Sequence, residues 1–208
     1  PVYCGSAALA EALPVRGGLS NVPRRPTAKR VLVVTGSRKK ETAAQVRRLE
    51  AVCGLHKVLL NSECLLHGPA PAEISRAAQK LSELLRQECG AILAFDSLFC
   101  SQTGFADDDV AVRQAGKSLA SKLGEVLNCI DRRLYDGLIL VGGDTAVEVC
   151  RSLHTTQLLL LEEVQSGTPA GLLADGQLRG MPVITKSGAF GDEDTLLHTW
   201  KYIRRESE

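Results

Sequence analysis

From Arg30 onward, hydrophobic and polar positions fall into two alternating rhythms. Near-continuous runs of Val, Ile and Leu in "RVLVVTGS", "HKVLLN", "AILAF", "DGLILVGG" and "MPVITKSG" predict short strands buried on both faces. Between them apolar residues return at the spacing of an amphipathic helix. "ETAAQVRRLEAVCG" predicts a helix ending at Gly54, and "PAEISRAAQKLSELLRQECG" a long one stopped by Gly90. "DDDVAVRQAGKSLASKLGEVLNCI" predicts a third helix with acids in its first turn, where the helix dipole favours them. "TAVEVCRSL" and "EDTLLHTWKYIRR" predict the last two.

Strands alternating with helices imply a doubly wound α/β fold, Rossmann-like, with a mainly parallel sheet, helices on both faces and right-handed crossovers. Late in the chain "QLLLLEEV", "GLLADGQLRG" and "MPVITKSG" follow one another with little helix between them, which predicts antiparallel strands or an appended ribbon. Before Arg30 the rhythm is missing. Residues 17–29 hold the glycines, prolines and basic residues of an exposed linker. Residues 1–16 supply a strand end, a Gly-Ser turn and one apolar-faced helix, too little to fold alone. We expect residues 1–16 to be the remnant of a preceding domain and residues 30–208 to form one domain.

Composition acts mainly by exclusion. Lys plus Arg (25) balance Asp plus Glu (24) and aromatics make up only 4%, so the chain has neither a basic nucleic-acid footprint nor a base-stacking platform. No run approaches the ~18 apolar residues of a spanning helix, so a soluble protein with no membrane partner is expected. The seven cysteines are odd in number and show no Cys-x-x-Cys spacing, which points to reduced thiols in a cytoplasmic protein rather than to a disulfide framework or a zinc site. His56, His67, His154 and His198 are dispersed without ligand spacing.

Candidate chemistry concentrates where strands end. In an open parallel sheet, ligands sit beyond the carboxyl ends of the strands, where helix N-termini present unpaired N–H groups. "DGLILVGGDTAVEVC" puts Gly142 and Gly143 at such a turn, with Asp144 and Thr145 entering the helix as candidate caps. "TGSRKKET" follows the first strand with Gly36 and Ser37, and "KSGAFGDED" follows the last with Lys186, Ser187, Gly188 and Gly191. A Gly-Gly-Asp turn can also be a tight connection and nothing more, and none of the loops is a P-loop or a three-glycine dinucleotide fingerprint. Three glycine-bearing loops meeting in one crevice would form a polyanion-binding edge. Asp107, Asp108 and Asp109, like Asp192, Glu193 and Asp194, read first as helix-start acids, and Trp200 and Tyr202 as packing residues.

In order and spacing these loops resemble the C-terminal nucleotide-binding domain of the four-carbon acid sugar kinases, which phosphorylate threonate, erythronate and 3-oxo-tetronate. "VGGDTA" is similar to the family's Gly-Gly-Asp/Glu-Thr loop, "SGTPAG" to its Gly-x-Pro segment and "PVITKSGAFGDEDTL" to its Lys-Ser-Gly-x-Phe-Gly segment. "GSAALAEAL" is similar to the segment that closes the family's N-terminal domain. The resemblance implies ATP or ADP lying against residues 142–145 and 186–191, with Gly142, Gly143, Gly188 and Gly191 cradling phosphates and Lys186 neutralising charge. Ser37, Thr145 and Ser187 join the nucleotide contacts in that picture, and Asp144 touches Mg²⁺. The sugar acid is held mainly by an N-terminal domain across a cleft. The catalytic base is unknown and would lie in that other half, so the isolated chain is expected to be inactive. "GSRKKETAAQ" keeps Gly36, Ser37, Thr42 and Gln45 of the family's first loop, but Lys39 and Lys40 replace a serine and a proline, which substitutes a point charge for a hydroxyl contact. A non-catalytic nucleotide-binding or interaction module is the alternative, and a homo-oligomeric state stays open.

Overall fold

The computed structural model describes residues 27–99 and 110–205. The expected N-terminal remnant and most of the linker lie outside the described residues, as do Asp107, Asp108 and Asp109. The elements run β1 (Val31–Thr35), α1 (Lys40–Cys53), β2 (Lys57–Leu60), α2 (Ser62–His67), α3 (Ala70–Gln87), β3 (Gly90–Phe95), α4 (Val110–Asn128), β4 (Gly137–Val141), α5 (Gly143–Ser152), β5 (Leu158–Gln165), β6 (Thr168–Leu173), β7 (Pro182–Lys186) and α6 (Thr195–Arg204). Among the described residues no helix is long and apolar enough to cross a membrane, and Cys53, Cys64, Cys89, Cys129 and Cys150 are free thiols.

One seven-stranded sheet has the order β2-β3-β1-β4-β7-β6-β5. The first five strands of that order are parallel, and β6 and β5 continue it antiparallel, as the late run of strands predicts. Strand alternation explains why the central runs are apolar throughout. Leu32 and Val34 of β1 join Leu138 and Leu140 of β4 in a core under α3, α4 and α5, with Leu81, Leu85, Leu123 and Val149. Val31 and Val33 face the other way with Ile139 and Val141, against Val46 and Leu49 of α1 and Trp200 and Ile203 of α6. The helix after β1 thus covers one face and the helix after β4 the other. Their strands are neighbours, and this reversal is the switch point at which such sheets open a crevice beyond their carboxyl ends.

Several boundaries differ from the pattern for tertiary reasons. Gly90 does not stop a helix: α3 ends at Gln87, and Gly90 is the first residue of β3, paired with Val31. A Cβ there would overlap the Val31 carbonyl oxygen and the Trp200 ring, so the glycine serves close packing. The short helix α2 has no counterpart in the sequence pattern; its cap is Asn61, whose side chain accepts from the Cys64 N–H. The Gly-x-Pro segment enters a strand, β6. Of the expected linker, Ala28 is buried in the core and donates its N–H to the Ile203 carbonyl at 2.9 Å. The Asp136 carboxylate accepts from the Lys29 and Arg30 N–H groups at 2.8 and 2.7 Å, which fixes the entry to β1.

Candidate functional site

The loops after β1, β4 and β7 lie side by side because their strands do. Between them is a crevice of about 640 Å³ walled by residues that include Ser37, Gly142, Gly143, Asp144, Ser187 and Gly188. Thr145 also reaches the wall, although its residue is buried. Lys186, which is buried, and Gly191, which is exposed, are not part of that wall.

Backbone and side-chain ties lock the three loops to one another. The Gly36 N–H donates to Thr145 Oγ1 at 2.9 Å, joining the β1 loop to α5, and the Gly142 N–H donates to the Lys186 carbonyl at 2.8 Å. Thr42 Oγ1 lies 2.6 Å from the Gly188 carbonyl oxygen and 2.9 Å from Ser37 Oγ. A hydroxyl has one proton, and a carbonyl can only accept, so Thr42 donates to Gly188 and receives the proton of Ser37. The Gln45 side-chain amide donates to the carbonyls of Phe190 and Asp192 at 3.0 and 2.7 Å, holding the β7 loop against α1. Asp192 Oδ1 in turn accepts from Thr195 Oγ1 at 2.9 Å and from the Asp194 N–H at 3.1 Å, the helix-start role read from the sequence.

The two helices that begin at the crevice, α1 and α5, have no side-chain hydrogen bond capping their N-termini. Asp144 and Thr145 are therefore not caps. The cap position of α5 is Gly142, at φ 108°, and Thr145 spends its hydroxyl on the β1 loop. First-turn N–H groups left without a side-chain cap, with the positive end of the helix dipole behind them, are donors of the kind that anions accept from. Among the described residues that line the same crevice, Arg38, Lys39 and Lys40 stand against Glu41 and Asp144, an excess of positive charge on that part of the wall.

The glycines of the site do different jobs. Gly143 is exposed, and a Cβ built on it meets nothing within 4 Å. Gly188 would bring a Cβ to 2.6 Å from Ser37 Oγ, and Gly191 would overlap Thr195, so these two serve loop packing. Lys186 is buried at the end of β7 and has no carboxylate partner among the described residues. Its ammonium donates to the Ser187 carbonyl at 2.7 Å, and burial pushes its pKa down to about 8. Trp200 is 1% exposed and packs in the core. Ser97, in the turn that follows β3, and Arg38 and Lys40 also reach the crevice; the sequence pattern does not single out Ser97 or Arg38, and only their positions after strand ends signal them.

The model of a family described as the nucleotide-binding C-terminal domain matches residues 32–196. The chain belongs to this family. A D-threonate kinase from Salmonella typhimurium is 32% identical across 98% of this chain and 48% of its own length. A D-erythronate kinase from Heliobacterium modesticaldum is 25% identical across 87% of this chain and 43% of its own. These names bear out the resemblance to the C-terminal domain of four-carbon acid sugar kinases, and the chain spans about half the length of the curated relatives it matches. The fold agrees. A crystal structure of a domain of unknown function from Bordetella bronchiseptica, a domain-swapped dimer with bound citrate, superposes with a TM-score of 0.68 at 25% identity, over 85% of this chain and 41% of that one. The family model covers all three loops of the crevice up to Leu196.

Proposed function

We propose that this chain is the ATP-binding half of a kinase that transfers the γ-phosphate of ATP to a hydroxyl of a four-carbon acid sugar. The observation that carries the reading is the meeting of two uncapped helix N-termini, α1 and α5, on one basic wall at the switch point of the sheet. Phosphate oxygens take hydrogen bonds from the first-turn N–H groups of α5, and Gly143 lets them come to backbone distance. Arg38, Lys39 and Lys40 offset their charge from the β1 side, and Ser187 and Gly188 close the opposite wall. Ser37, Thr145, Lys186 and Gly191 act mainly by holding the loops in register.

Asp144 fits the Mg²⁺ that accompanies ATP: it is exposed on the crevice wall, and this ion uses one or two carboxylates and takes its remaining ligands from phosphate and water. Mg²⁺ would supply charge neutralisation on the phosphates. Phosphoryl transfer depends on positioning and electrostatics, so donors and cations without a general base suit a nucleotide half. The sugar acid and the group that activates its hydroxyl belong to a second half in this reading, which the half-length coverage of the kinase relatives supports. Free thiols support a cytoplasmic setting, and the domain-swapped Bordetella dimer supports a homo-oligomer.

Calorimetric titration with ATP and ADP in the presence of Mg²⁺ tests the site. One nucleotide is expected per chain, with affinity lost in a Lys39→Ala, Lys40→Ala double variant. No heat at millimolar nucleotide, or a double variant equal to the parent, overturns the assignment. Incubating the chain with ATP and D-threonate or D-erythronate should yield no phosphorylated acid; turnover would place a sugar site within this domain.

A further inference from the structure

Among the described residues, the antiparallel end of the sheet closes on β5, an edge strand whose first half is exposed. Leu158, Leu159 and Leu160 are 36%, 45% and 62% exposed. Successive strand residues point to opposite faces, so this edge is apolar on both sides. Proteins normally blunt such edges with charge, proline or a bulge. The second half of β5 has those protections: the register with β6 shifts between Leu160 and Glu162 and again between Glu163 and Gln165, and two glutamates stand there. Leu158, Leu159 and Leu160 instead pair regularly with Leu173, Leu172 and Gly171. The Leu159 carbonyl oxygen faces Gly171 of β6, where a Cβ would overlap it. By alternation, the N–H and C=O groups of Leu158 and Leu160 face away from the sheet.

We propose that this edge pairs with the same edge of a second copy, β5 to β5, antiparallel about a two-fold axis at Leu159. The proposal rests on the self-association part of the function proposed above and names its surface. A two-fold axis at that residue sets Leu158 of one copy opposite Leu160 of the other, where their outward backbone groups exchange hydrogen bonds. It covers all three leucines with their own kind. It also sets Glu162 toward Thr156 of the other copy and Glu163 toward Thr155. A register centred on Glu162 would face that glutamate with itself, which cross-strand repulsion opposes. Charge thus selects the same register that buries the leucines. The segment preceding Thr27 is a poor alternative strand, because Pro23 and Pro26 each remove a ladder donor. So short a pairing belongs with small, weak interfaces, and dissociation in the micromolar range is expected.

Sedimentation velocity on the 208-residue chain from about 1 to 200 μM, a window around that weak dissociation, tests it. The parent should shift from monomer to dimer. Leu160→Lys and Leu158→Glu, both at exposed positions, should each be monomeric across the range, with unchanged far-ultraviolet dichroism. An equimolar mixture of the two variants should form a heterodimer, because the pairing sets the introduced lysine of one copy against the introduced glutamate of the other. A monomeric parent means that something other than a second copy covers this edge, and overturns the proposal. Dimers that survive either substitution place the interface elsewhere, and variants that fail to associate on mixing refute the register. Nucleotide titration of the same samples separates the two readings: a dimer that binds no nucleotide leaves this inference standing and removes the function proposed above.

Discussion

Gly142 and Gly143 are adjacent, yet replacing each by alanine should have opposite effects on stability. At Gly142 the backbone sits at φ 108°, a conformation that L side chains rarely adopt, and holding a non-glycine residue there costs on the order of 1–3 kcal/mol. The new Cβ would also lie 3.1 Å from Thr145 Oγ1, the acceptor for the Gly36 N–H, so the tie between the β1 loop and α5 must give. Gly143 is the first residue of α5, with helical backbone and open space where its Cβ would be. Alanine there restricts the unfolded chain and improves helix propensity, which stabilises by about 0.4–1 kcal/mol. For a domain of this size the midpoint of thermal unfolding should fall by roughly 2–12 °C in Gly142→Ala and rise by about 1–4 °C in Gly143→Ala.

Nucleotide affinity should not follow stability. The methyl group of the Gly143→Ala protein stands in the crevice beside the uncapped N–H groups and keeps phosphate out of hydrogen-bond range. Losing one charge-assisted contact of about 1.5–3 kcal/mol weakens binding roughly ten- to a hundredfold. Thermal unfolding without ligand and calorimetric titration with ATP and Mg²⁺, on one preparation of each variant, read both quantities. A Gly143→Ala protein that is more stable and binds poorly supports close backbone approach at α5. A Gly143→Ala protein that binds like the parent refutes it, and the glycine pair then serves the turn alone.

Two further outcomes follow from packing and charge. Lys186 has a folded pKa of about 8 against an ordinary value of 10.5, so between those values the unfolded chain holds more protons and stability rises with pH. The melting difference between Lys186→Met and the parent should be largest below pH 8 and narrow toward the ordinary lysine value of 10.5; parallel profiles would show that burial does not burden the ammonium. Gly90→Ala should destabilise by about 3 kcal/mol or more in urea unfolding, because its Cβ has to displace either the β1 backbone or Trp200, and a neutral result would contradict the close approach of strand and helix.

The parallel core was legible because β1 and β4 are buried on both faces, which leaves no polar position to interrupt the run. The antiparallel end was legible for a different reason: three strand-like runs in succession leave no room for crossover helices. Gly90 misled because a glycine after a helical pattern has the same letter whether it ends a helix or admits a tryptophan, and Trp200 lies far along the chain. The same ambiguity decides the site. Sequence order brought all three glycine loops to one edge, since strand ends in a parallel sheet share a side. What it could not assign is which missing side chain makes room for a ligand and which makes room for another loop. That choice is made by contacts such as Gly36 with Thr145, 109 residues apart, and Thr42 with Gly188, 146 apart. Gly142 is required by its dihedral, Gly188 by Ser37 and Gly191 by Thr195. Of these four glycines only Gly143 has empty space in place of its side chain, so it is the one whose identity the fold itself does not require, and the phosphate approach proposed above gives it a reason that the Gly143→Ala titration tests.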